Sequence, residues 1–152
     1  MHHVQAIHRG AAVFVQGAED VAISGCTFDQ VDGNGVFLSG HVRNSSVVRN
    51  DFVRVGDSAI LLVGASGRHR TNHAANRDYP AFNTIEANHV DTVGVWGKQS
   101  AAYFKAIARE NVVRGNVFHA RALNAVADNE AFLVRVQSGV SFSAAVCTPC
   151  EE

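Results

Sequence analysis

The chain has 152 residues, 47% of them hydrophobic, and a formal net charge of −1. That length suits one domain with an ample core. Near-zero charge, with eleven Arg and two Lys scattered along the chain, excludes a broad electrostatic attraction to nucleic acid or an acidic membrane. No run approaches the ~18 apolar residues of a membrane span.

Met1 to Gly10 lacks an apolar h-region, so no signal peptide is visible and the compartment stays open. Ala11 to Gln16 reads as a first strand, closed by a turn over Gly17-Ala18-Glu19-Asp20. Val21 to Phe28 alternates apolar and polar residues as the next strand. Asp32-Gly33-Asn34-Gly35 supplies residues that tolerate positive φ in a turn. Val36 to Gly40 is a further short strand, and the pattern restarts at Val47.

The restart is a repeat. Val47, Asn50, Phe52, Val55 and Ile60 form a skeleton of an aliphatic residue, Asn three on, Phe five on, Val eight on and an aliphatic thirteen on. Upstream it reads Ile23, Cys26, Phe28, Val31 and Val36. Downstream it reads Ile85, Asn88, Val90 and Val93, with Lys98 at the last position, then Val113, Asn116, Phe118 and, with the eight-on place skipped, Val126. The starts lie 24, 38 and 28 residues apart. A constant apolar skeleton with inserts of variable length predicts a stacked solenoid. Short Val/Ile/Phe-rich strands divided by Gly, Asn and Asp turns exclude a helical bundle. The predicted fold is all-β, a right-handed parallel β-helix of about four to five coils over residues 11–132. The Asn row is expected to form an amide ladder satisfying backbone groups at a turn. Cys26 takes a place in that row and is expected to be a small buried side chain.

The wide interval after Val47 holds a polar, His- and Arg-rich loop over residues 64–81, with Pro80 near its end. Long loops on rigid scaffolds often carry function, and this one is either a plain surface loop or a wall of a substrate groove, with His73 facing the ligand. His69 and His73 are spaced i, i+4, but neighbouring Gly, Asn and Thr argue against the helix that spacing needs to hold a metal. No metal is expected. A nucleophile elbow, a phosphate-binding glycine loop and an HExxH motif are all missing from the sequence, and no cofactor is expected. Cys147-Thr148-Pro149-Cys150 is a lone CxxC without strand-helix context or a second pair. The three cysteines are an odd number, which argues against a disulfide framework.

Ala12 to Ala18, Asp32 to Gly40, Gly56 to Ile60, and Lys98-Gln99-Ser100 followed by Tyr103-Phe104 resemble runs in right-handed parallel β-helix proteins of the pectin-lyase-like superfamily. The resemblance spans about residues 11–118 and decays afterwards; residues 133–152 show none of the skeleton. It implies a piece of a longer protein, related full-length proteins that are secreted, and a polysaccharide or glycan partner. It does not select a reaction, because the superfamily hosts lyases, hydrolases, esterases and inert adhesins. Uncapped solenoid ends are expected to favour self-association.

Polysaccharide hydrolysis commonly needs two carboxylates. Asp57 and Asp32 occupy equivalent turns of neighbouring coils, one register place apart, and are the catalytic candidates. The alternative is that each Asp serves its turn by accepting backbone N–H bonds. Glu130 falls where related chains carry Asp, which the resemblance makes a third candidate. Lys98, Gln99 and Tyr103, with Lys105, could face a sugar: Lys and Gln towards hydroxyl or carboxylate groups, Tyr stacked on a pyranose. Ordinary coil surface is the alternative. Trp96 is assigned to the core in preference to a sugar platform. A polysaccharide hydrolase or lyase is the first expectation for function. A non-catalytic glycan- or protein-binding solenoid, or a degenerate fragment, is the second.

Overall fold

A computed structural model describes residues 10–64, 78–96, 100–120, 142–143 and 146–149. Among them there are strands and no helix, and hence no helix long and apolar enough to cross a membrane. Strands β1 (Ala11–Glu19), β4 (Asn34–Arg43), β7 (Ile60–Val63) and β10 (Tyr103–Ala106) form sheet A. Strands β2 (Ala22–Ser24), β5 (Ser46–Val48), β8 (Thr84–Glu86), β11 (Val112–Arg114) and β13 (Phe142–Ser143) form sheet B. Strands β3 (Thr27–Asp29), β6 (Asp51–Val55), β9 (His89–Val93), β12 (Val117–Ala120) and β14 (Val146–Pro149) form sheet C. All the pairings are parallel. The chain visits A, B and C in turn and each round stacks on the last, which is consistent with a β-solenoid.

The repeat skeleton sets the register. Ile23, Val47, Ile85 and Val113 are stacked partners in sheet B. Phe28, Phe52, Val90 and Phe118 are partners in sheet C. Val36 and Ile60 pair in sheet A. All are buried and belong to one core, and each fully buried side chain contributes about 1.5–3 kcal/mol. Phe28 and Phe52 stack with ring centroids 4.6 Å apart and 4° between planes, which adds about 0.5–1.5 kcal/mol. Strands β13 and β14 continue sheets B and C where the side-chain skeleton has already lapsed. Ladder hydrogen bonds need only backbone, so pairing outlasts the motif.

The Asn row is a ladder. Oδ1 of Asn50 accepts the Cys26 N–H at 3.0 Å, Oδ1 of Asn88 that of Asn50 at 3.0 Å, and Oδ1 of Asn116 that of Asn88 at 2.9 Å. Each Nδ2 donates to a carbonyl of the preceding round: Ile23, Val47 and Ile85. Every asparagine therefore serves the round before its own. Cys26 has no described round beneath it to serve, and it is exposed, its thiol donating to the Ser24 carbonyl at 3.5 Å. This corrects its expected burial. A second ladder runs at the A-to-B corner: Asn83 Oδ1 accepts from Ser45 N and Asn111 Oδ1 from Asn83 N, while Ser45 Oγ accepts from Val21 N.

Two element boundaries differ from the sequence reading. β1 runs on through Gly17 to Glu19, because a register shift between Gln16 and Ala18 absorbs the expected turn as a bulge. The expected strand over 21–28 is two strands, broken at Gly25 with φ 63°. Arg49, Ala87 and Gly115 repeat that left-handed corner at φ 53°, 52° and 60°, so stacking holds even non-glycine residues there against a local cost. Sheet A is also apolar on its outward face: Phe37, Leu61 and Val63 form a second buried cluster with Phe104 and Ala106. Phe14 meets Phe37 edge to face, centroids 5.3 Å apart.

Candidate functional site

The C-to-A corner collects the residues with chemistry. Asp32 follows β3, Gly56 and Asp57 follow β6, and Trp96 follows β9, so they sit on three successive rounds. Backbone bonds fix the stacking. Gly56 N donates to Val31 O at 2.7 Å and Asp57 N to Gly33 O at 3.0 Å, while Trp96 N donates to Gly56 O and Gly94 N to Asp57 O, each at 3.0 Å. Asp57 thus lies one register place beyond Asp32 on the adjacent round. A strand spacing of about 4.8 Å and a residue step of about 3.3 Å put their backbones about 6 Å apart.

Asp32 is exposed and Asp57 half-buried. Among the described residues, no hydrogen bond or ion pair engages either carboxylate. Among the described residues the corner is held by main-chain bonds, and neither carboxylate serves its turn. The nearest arginine along the chain, Arg54, is engaged elsewhere, its Nη2 2.6 Å from Asp29.

Trp96 is 72% exposed. This overturns its assignment to the core. The inward place in its round is held by Val93, and Trp96 leaves the strand three residues later in the corner. Gly56 is what lets it settle there. A Cβ on Gly56 would lie 1.9 Å from the Asp32 carbonyl oxygen and 2.9 Å from Trp96 Cδ1. The bare glycine allows the Asp32 backbone and the indole to close on the same point.

Tyr103 and Lys105 do not join this surface. β10 pairs Tyr103 with Ile60 and Lys105 with Leu62, whose side chains face the core. Tyr103 is 0% and Lys105 4% exposed, so Tyr103 offers no face to a pyranose. Burial pushes the Tyr103 pKa well above the usual phenol range and lowers that of Lys105. Alternation along a strand decides both, and the sequence reading had not phased β10. Lys98, Gln99, His73 and Glu130 lie outside the described residues. Among the described residues no three His, Cys, Asp or Glu side chains group as metal ligands.

The Tyr103 hydroxyl is buried without a hydrogen-bond partner among the described residues. Leaving such a group unpaired costs about 1–3 kcal/mol, so Tyr103→Phe is expected to stabilise the chain by about 1 kcal/mol in urea unfolding at neutral pH. The phenol pKa is raised on folding, so the folded state holds its proton where the unfolded state has lost it. Stability is then fully present below about pH 10 and falls as pH rises above it. The phenylalanine variant should lose less over that range.

No family model matches the chain, and neither a curated protein nor a solved structure matches it.

Proposed function

We propose that the chain forms a right-handed parallel β-helix of the pectin-lyase type, with about four to five coils, that recognises a polysaccharide at the C-to-A corner. The observation that carries this reading is Trp96: a large indole, 72% exposed, beside two carboxylates that no group among the described residues engages. An exposed aromatic face suits the apolar face of a sugar ring, and the carboxylates of Asp32 and Asp57 would accept hydrogen bonds from sugar hydroxyls. Trp96→Ala should weaken binding of oligosaccharides at least about tenfold, about 1.4 kcal/mol, in calorimetry across a panel of plant and microbial glycans. It should leave the thermal midpoint unchanged. Undiminished affinity in that variant would sink the reading.

Catalysis at the same corner is the second reading, favoured by the one-place stagger of Asp32 and Asp57 on adjacent rounds. Carboxyl groups about 5–5.5 Å apart serve retention and about 6.5–9.5 Å apart inversion, and side chains on backbones so close reach either. Asp57→Asn and Asp32→Asn should then abolish release of reducing ends or unsaturated products while binding persists. If the unmodified protein releases neither, the corner is a binding surface alone.

A further inference from the structure

We propose that the opposite edge of sheet A, its corner with sheet B, carries an oxyanion subsite centred on Arg109 for the carboxylate or sulfate group of a sugar residue; the sugar part rests on the glycan reading above. Arg43, Ala81 and Arg109 stand in register on successive rounds, joined by parallel bridges. The small Ala81 between two long side chains leaves room for the Tyr79 ring. The Arg43 guanidinium carbon lies 4.6 Å from the centre of that ring and the Arg109 carbon 5.6 Å. Arg43 also lies 5.8 Å from the centre of the Phe82 ring.

The two arginines differ in what remains open. Arg43 is 7% exposed, a charged side chain built into the corner. Arg109 is exposed, and among the described residues no carboxylate pairs with it. Tyr79 contacts its guanidinium through the ring face, and such a contact leaves the N–H edge available for the two parallel hydrogen bonds that a carboxylate or sulfate accepts. Phe82, 53% exposed and held at φ 58°, presents an apolar surface at the same corner, beside Arg43. Two arginines on backbones about 10 Å apart, two strand spacings, and an exposed ring fit a ligand with an apolar face and an anionic substituent. An uncharged sugar would leave Arg109 unanswered.

The test uses the full chain, a uronic-acid trisaccharide, its neutral counterpart of the same linkage, and inorganic sulfate as competitor. The unmodified protein is expected to prefer the acidic trisaccharide by about tenfold, and sulfate should erase that preference. Arg109→Gln should bind both trisaccharides alike, within about twofold. Arg109→Lys should recover only part of the preference, because a point charge lacks the planar fork. Trp96→Ala should weaken both ligands and keep the preference. Equal affinity of the unmodified protein for the two sugars, or a preference that survives in Arg109→Gln, overturns the subsite while leaving the glycan reading standing. Loss of the preference in Arg109→Gln with no effect of Trp96→Ala keeps the subsite and removes Trp96 as platform. If neither trisaccharide binds, the glycan reading fails and the sugar subsite fails with it.

Discussion

Replacing Asn88 with Ala is expected to cost about 3–5 kcal/mol, the largest loss at any single polar side chain of the core. Its side chain sits between two others of the same kind. Oδ1 accepts from the backbone N–H and the Nδ2 of Asn50, each at 3.0 Å. Nδ2 donates to the Val47 carbonyl at 2.8 Å and to Asn116 Oδ1 at 2.9 Å. Truncation strips partners from buried groups on the rounds before and after, and each orphaned group costs about 1–3 kcal/mol. Urea unfolding monitored by circular dichroism gives the number. A loss below about 1 kcal/mol would mean that the ladder is an accident of stacking. Cys26→Asn is the contrast. It adds the same amide where no described round lies beneath, and should change stability by no more than about 0.5 kcal/mol.

The second large effect is expected at Gly56. A methyl group there meets the Asp32 carbonyl oxygen at 1.9 Å, and that atom belongs to the backbone of the adjacent round. No rotamer change relieves the contact, so two rounds must part at the corner. Gly56→Ala should cost about 2–4 kcal/mol, above most single overpacking changes. The same Cβ meets Trp96 Cδ1 at 2.9 Å, and Trp96 is the single tryptophan of the chain. Indole fluorescence should therefore shift in the folded variant, and glycan affinity should fall with it. Unchanged emission and stability together would show that the rounds are not packed as described.

Much of the fold was legible because a solenoid repeats its local rules. Ile23, Val47, Ile85 and Val113 share one sequence offset, and that offset became one sheet row. The Asn50, Asn88 and Asn116 ladder followed for the same reason: identical side chains at identical places in stacked rounds meet the same partners. The second ladder was equally written in the sequence. Ser45, Asn83 and Asn111 keep the 38- and 28-residue spacing of their neighbours. It was missed because the skeleton was anchored on apolar residues, and these three lie just outside it.

The candidate site was legible only in part. The one-place stagger of Asp32 and Asp57 came from counting and matches the backbone bonds Gly56–Val31 and Asp57–Gly33. That neither carboxylate serves its turn among the described residues does not follow from spacing, because Asp in a turn accepts N–H groups or points away without any change in spacing. Arg43, Tyr79 and Arg109 escaped the sequence reading altogether. Their contact depends on the corner where Ala81 bridges two rounds, and the long insert hides that register.

By itself, the sequence determined the strand class, the order of rounds, the identity of the inward rows and the existence of the amide ladder. All four depend on residue type at fixed offsets, and backbone pairing converts offsets directly into neighbours. Only the tertiary structure decided which way Trp96, Tyr103 and Lys105 point, that sheet A buries apolar residues on both faces, and which charged side chains remain unengaged. Those outcomes turn on the phase of a strand or the path of a corner. A shift of one residue there moves a side chain from core to solvent and leaves the repeat itself unchanged.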